Sequence, residues 1–364
     1  MSDPHSSICR EPRTRSHDRP TEDFSRLLEG HRRPLERALR RRLQKEQRSL
    51  GRFGVGPRDI AATVADLCER GGKRVRPALV VVGARSIKTH VDPALLLDMG
   101  VVLELLHAYF LIHDDWMDGD LVRRGRPSVH AMLRRRFGSR RLGDSASILA
   151  GDWGVGVATK WMTELGLDDR RLRAALDAFG RMQLDAIVGQ QRDLVAEDDD
   201  CELTYRLKTA SYTVEGPLRL GAIAAGAKPS QLTAIGRFSL PVGVAFQHRD
   251  DLIGMFSDPS QSGKPMGSDL LSGKRTLLAL SGLRLARGAD LRLLHRVFGN
   301  PSASTADLSR AILILRDCGA EQKVEARIGQ LLRRGLRALE SAPLLKQGRT
   351  LMAGAAVTLA MRTS

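Results

Sequence analysis

The stretch VVLELLHAYFLIHDDWMD, residues 101–118, decides the fold. At about 100° per residue on a helix, His107, Phe110, Asp114 and Asp118 fall on one stripe. The apolar run around that stripe, residues 101–112, buries the helix on most sides. Carboxylates that end a buried helix mark a pocket wall, not a solvated face. A second apolar helix, residues 240–256, carries Gln247-His248-Arg249-Asp250-Asp251 in the same manner.

Each acidic cluster is followed by basic residues and glycine. Arg123-Arg124-Gly125-Arg126-Pro127 comes after the first, where Gly and Pro turn the chain back. Gly263-Lys264 and Lys274 come after the second. Upstream, Gly71-Gly72-Lys73-Arg74-Val75-Arg76-Pro77 joins a glycine pair, which lets backbone amides approach an anion, to the direct charge of Lys73 and Arg76. Lys208-Thr209 follows a helix holding Gln190, Gln191 and Asp193. A lysine at a helix start binds phosphate together with the free amides there.

Crowded carboxylates need a cation to neutralise them. Mg²⁺ suits the role, because it takes one or two carboxylates and completes its shell with substrate phosphates. Guanidinium and ammonium groups then hold the phosphate oxygens that the metal leaves uncovered. The reading is a metal-dependent enzyme acting on diphosphate esters.

Composition sets the frame. The chain has 364 residues, only 4% of them aromatic, and is rich in Leu, Ala and Arg, which favours helix over sheet. Apolar periodicity runs helix after helix from Ile60 onward, and no convincing alternating strand interrupts it. Residues 1–22, with Pro4, Pro12 and Pro20 among Ser, Arg and His, read as a disordered basic tail, and residues 23–364 as one all-α domain. No run approaches the ~18–20 uninterrupted apolar residues of a membrane span. Cys9, Cys68, Cys201 and Cys318 have no paired spacing, which suggests a reducing, cytoplasmic setting without disulfides or a zinc site. The net charge of +16 invites a nucleic-acid partner, but the cations are dispersed and no nucleic-acid motif accompanies them. A basic surface that draws in anionic substrates, or lies near an anionic membrane, fits as well. The arginine-rich stretch at residues 134–141 has no account at this level.

With these motifs in this order, residues 71–276 resemble the all-trans polyprenyl diphosphate synthases. DDxxD is intact at Asp114, Asp115 and Asp118. The resemblance implies a bundle of long antiparallel helices around a central cavity, and a homodimer. It implies three Mg²⁺ ions, or Mn²⁺ in their place, on Asp114, Asp118 and Asp250. Arg123, Lys208 and Lys264 would hold an allylic diphosphate, with Thr209, Gln247 and Lys274 beside it. Lys73, Arg76, His107 and Arg124 would hold isopentenyl diphosphate. Gly254 stands where the second motif often has another aspartate, so a weaker third metal site is expected.

Tyr109 and Phe110 lie five and four residues before Asp114. At ~1.5 Å per residue that is about 6–8 Å down the helix. Two rings there would stop product growth after a few isoprene units. The resemblance therefore favours farnesyl diphosphate (C15), with geranylgeranyl (C20) and then geranyl diphosphate (C10) as alternatives. A terpene cyclase would need an Asn/Asp, Ser/Thr, Glu metal motif in place of Asp250-Asp251. A non-catalytic partner subunit would have lost metal or phosphate ligands, and Gly254 is the only candidate loss.

Overall fold

The computed structural model describes residues 18–195, 200–257 and 266–362. It is all-α, as expected. Helix α1 (Asp18–Gly51) packs beside α2 (Val55–Glu69), and α3 (Val75–Arg85) leads to the central α4 (Pro93–Asp118). Since α1 begins at Asp18, residues 18–22, assigned above to the tail, are helical. The backbone of Pro20 lies against Gly354 of the C-terminal helix Lys346–Ala360. The remainder of that tail, residues 1–17, lies outside the described residues.

Local chemistry explains the ends of α4. Asp92 caps its first turn by accepting from the Ala94 amide, and Pro93 fills a position whose N–H would be unpaired. Gly119 closes it at φ +72°. Between these ends, Met99–Leu106 is buried without a break, which is why the helix reads apolar all round. Beyond it, Val122–Arg123 pairs antiparallel with Arg126–Pro127, the only strands among the described residues. Arg124 and Gly125, both at positive φ, make the two-residue turn.

Helices α5 (Val129–Phe137), α6 (Arg140–Thr163) and α7 (Asp169–Val195) follow. Only Gly138 and Ser139 separate α5 from α6, which begins at Arg140. Next come α8 (Cys201–Tyr205), a π-helical stretch Arg206–Glu215 and α9 (Gly216–Ala224), one after another without a gap. Lys208 is thus inside a helical run. It does not sit at a helix start with free amides, as its sequence context suggested. Two glycines let neighbours close on this stretch. A Cβ at Gly189 of α7 would meet the Lys208 amide nitrogen at 2.3 Å, and one at Gly243 would meet the Ala210 Cβ at 2.4 Å.

Gly243 belongs to α10 (Pro229–Phe256), which joins two apolar cores. One core gathers α1–α7 and α9, and the other gathers the C-terminal helices from Leu277 to Glu340. The two acidic helices, α4 and α10, therefore face each other across the middle of the molecule.

Candidate active site

Between α4, α7, the π-helical stretch and α10 lies a cavity of about 1110 Å³. Its wall gathers most residues singled out in the sequence: Lys73, Arg76, His107, Tyr109, Phe110, Asp114, Arg123, Arg124, Lys208, Thr209, Gln247, Asp250 and Lys274. Asp115 and Asp118 do not reach this wall. Lys264 lies outside the described residues.

The aspartates of the first cluster have separate surroundings. Asp115 is 1% exposed and accepts from Arg123 Nε at 2.8 Å. Arg123 also stands 3.6 Å from Asp114 and 3.6 Å from Asp120, so the basic hairpin is fastened to the end of α4. Asp114 meets Lys208 Nζ at 3.0 Å, and Lys208 also donates to Asp193 at 2.6 Å. One turn on, Asp118 accepts from Lys274 Nζ at 3.0 Å, and Asp269 stands 3.7 Å from the same ammonium. Burial alone would lower both lysines. Asp114 and Asp193 outweigh it at Lys208, as Asp269 and Asp118 do at Lys274, and both are held above the ordinary lysine value.

In the second cluster, Asp250 pairs with Arg362 near the C-terminus, whose guanidinium lies 4.2 Å from the Phe246 ring centre. Asp251 is enclosed. Tyr205 donates to one of its oxygens and Gln247 to the other at 3.0 Å, while Thr209 donates to Gln247 at 2.8 Å. Burial, helped by Asp269, pushes the Asp251 carboxyl up to about 6. Asp250, with its side chain 33% exposed against 7% for Asp251, is the more open of the two, and both line the cavity. Gly254 lines it as well, and a Cβ there would lie 3.9 Å from Asp269 Oδ2. The carboxylate missing from the second motif thus has another one beside its place.

The opposite end is cationic. Arg76 donates to Thr213 at 2.8 Å and stacks over Tyr212 at 4.6 Å. Arg124 donates to the Gly71 carbonyl, and a Cβ at Gly72 would come 3.1 Å from its guanidinium. Glycine is needed there for close approach, not for amide binding alone. Arg74, between Lys73 and Arg76, is structural: it is buried on Glu104 and the Cys68 carbonyl. Lys73 stands at the rim, where partial burial and Arg362 pull its ammonium down to about 8. Burial, then Arg76 and Arg124, holds His107 well below the usual histidine range, and its Nδ1 has no hydrogen-bond partner among the described residues. Burial lowers Arg124, and burial with Arg249 brings Arg362 to about 10.

Three rings cross the apolar depth. Phe110 lies 4.9 Å from Tyr109 and 4.6 Å from Tyr212. Tyr109, 9% exposed, leans on His113 at 4.9 Å and packs beside α6 near Gly154. Phe110 presents the more open face. Sequence reasoning missed Tyr212, Tyr205, Asp269 and Arg362 as site residues. Tyr212 had a signal, since it sits four residues past Lys208 and so near it on a helical face. Arg362 had none, because only tertiary folding brings the chain end here.

Among the described residues no three His, Cys, Asp or Glu side chains form a ready-made metal cage. Such a wall suits an ion that shares its shell with substrate phosphate. Asp114 and Asp250, with Asp118 a turn behind, offer hard oxygen donors in facing helices, and these fit Mg²⁺.

Residues 57–315 match the family model described as polyprenyl synthetase. A geranylfarnesyl diphosphate synthase from Aeropyrum pernix is 32% identical, over 76% of this chain and 85% of that protein. A (2E,6E)-farnesyl diphosphate synthase from Mycobacterium bovis is 34% identical, over 69% and 68%. The crystal structure of geranylgeranyl pyrophosphate synthase from Corynebacterium glutamicum, complexed with isoprenyl diphosphate and magnesium, matches with TM-score 0.81 and 30% identity, covering 94% of this chain and 99% of that one.

Proposed function

We propose, from the premise that this chain belongs to the polyprenyl synthetase family and is a prenyltransferase, that it condenses isopentenyl diphosphate head-to-tail with an allylic diphosphate. The observation that carries this reading is the single cavity with a carboxylate end and a cationic end. One receives a diphosphate that must leave, the other a diphosphate that must stay.

Asp114, Asp118 and Asp250 would hold magnesium, which when bound neutralises the departing diphosphate. Lys208, Lys274 and Arg123 would exchange their present carboxylate partners for phosphate oxygens, with Thr209 and Gln247 holding the second cluster in register. Lys73, Arg76, Arg124 and neutral His107 would fix isopentenyl diphosphate with its double bond toward the allylic carbon. The allylic C–O bond then breaks, C4 of isopentenyl diphosphate bonds to the cation, and a proton leaves C2 of the isopentenyl unit for the released diphosphate. The rings of Tyr109, Phe110 and Tyr212 keep water from the cation.

The same rings support farnesyl diphosphate as the end product. Geranylgeranyl diphosphate is the second reading, favoured by the similarity to the Corynebacterium glutamicum enzyme. A homodimer accounts for the outer faces of α6 and α7, where Leu149, Leu184 and Val188 are exposed. A cytoplasmic setting is the corresponding proposal for location. Among the described residues α4 alone is long and apolar enough to cross a membrane, and 61% of that window is buried in protein.

The test is incubation with Mg²⁺, isopentenyl diphosphate and C5, C10 or C15 primers, followed by sizing of the dephosphorylated products. C15 products, lengthened in Phe110→Ala, are expected. Longer wild-type products overturn the three-ring floor but keep the reaction class, and no elongation with any primer overturns the reaction.

A further inference from the structure

The turn between α1 and α2 projects apolar side chains into solvent. Phe53 is 65% exposed and Val55 is 56% exposed. The Phe53 amide bonds the Leu50 carbonyl at 3.0 Å, so the turn is ordered and convex. From Arg48 to Arg58 the exposed charged side chains are all basic. Arg48, Arg52 and Arg58 are exposed and have no acidic partner among the described residues. The Arg52 guanidinium lies 4.9 Å from the centre of the Phe53 ring. Arg136 bonds Asp59, one turn into α2, at 2.6 Å. That contact ties the unexplained arginine-rich segment to the base of the same corner, with Arg135, Arg140 and Arg141 exposed on it.

We propose that this corner docks the protein on an anionic lipid bilayer. Phe53 and Val55 would enter the boundary between headgroups and acyl chains, and the arginines would lie on lipid phosphates. Arg52 over the Phe53 ring already has the needed arrangement, with a charged head at headgroup level and an apolar body below it. Single-stranded nucleic acid prefers aromatic platforms within a basic groove. A protruding corner with an aliphatic Val55 fits lipid better. A prenyl diphosphate is itself an anionic amphiphile, so a bilayer beside the enzyme would take up its product. The docking surface does not depend on that reaction, and its test uses no substrate.

The experiment is co-sedimentation of the full chain with vesicles of phosphatidylglycerol or of phosphatidylcholine, and flotation as a check. Binding to phosphatidylglycerol alone is expected, weakening with salt. Phe53→Ser should lower the partition coefficient about tenfold. Arg52→Gln with Arg58→Gln should lower it roughly thirtyfold, at about fivefold for each cation. Neither change touches the cavity, so prenyl transfer should be unaltered. Phe53→Trp should show added fluorescence quenching by brominated phosphatidylglycerol. Absence of sedimentation, equal binding to both lipids, or no added quenching in Phe53→Trp overturns the proposal. So does competition by single-stranded DNA with binding indifferent to Phe53→Ser.

Discussion

The two ends of the cavity use the same side-chain types in opposite proportion. At the α4–α10 end, Asp114, Asp118, Asp193 and Asp269 surround Lys208 and Lys274, and the carboxylates hold both ammonium groups charged. At the other, Arg76 and Arg124 act on buried His107 and Arg362 acts on Lys73, and both groups are pulled below their ordinary values. Burial acts on all of them, so the sign of the neighbours decides the difference. At one end the carboxylates outnumber the cations, so on the proposed reaction a diphosphate would enter together with metal. The other holds positive charge under strain that an anion relieves.

The largest break in this symmetry should come from Asp114→Asn. It should lower kcat about 10³-fold under saturating Mg²⁺, while calorimetry finds isopentenyl diphosphate affinity unchanged. Equal losses at both ends would mean that the ends are not separate. Arg76→Ala should do the reverse, raising KM for isopentenyl diphosphate roughly 10–100-fold through a lost charge-assisted bond, with the allylic KM steady.

Lys73 sharpens the comparison through pH. Its folded value of about 8 means that the cation is present below that pH and lost above it. Affinity of the free enzyme for isopentenyl diphosphate should therefore fall severalfold as pH rises through about 8. Lys73→Arg should flatten that limb in a calorimetric pH series.

Smaller effects test the second cluster. Asp269→Asn should raise the Mg²⁺ concentration needed for half-maximal rate roughly tenfold. Gly254→Ala places a Cβ in ordinary contact, 3.9 Å from Asp269. It should leave kcat within about twofold and stabilise α10 by about 0.5–1 kcal/mol, read from thermal melts.

The motifs were legible because the chemistry demands particular residues at helical spacing. Asp114, Asp118 and the apolar run before them follow from periodicity alone. What periodicity does not reveal is which aspartate each cation meets. Asp115, the middle aspartate of the first motif, is buried on Arg123, and Asp251 is likewise taken up by Tyr205 and Gln247. Lys208 read as a helix start because the acidic run at residues 197–200 breaks the pattern just before it. The helix instead starts at Cys201, capped by Asp200, and runs through Lys208 as a π-helical stretch. Arg362 and Asp269 enter the site by tertiary folding, and no local pattern encodes that.

The most direct test is calorimetry of each substrate with and without Mg²⁺, using a non-ionising thiolo analogue of the allylic diphosphate. Isopentenyl diphosphate should bind with similar affinity in both conditions, and the allylic analogue should bind only with metal. A metal requirement for both, or for neither, would contradict the division of the cavity into two ends of opposite charge.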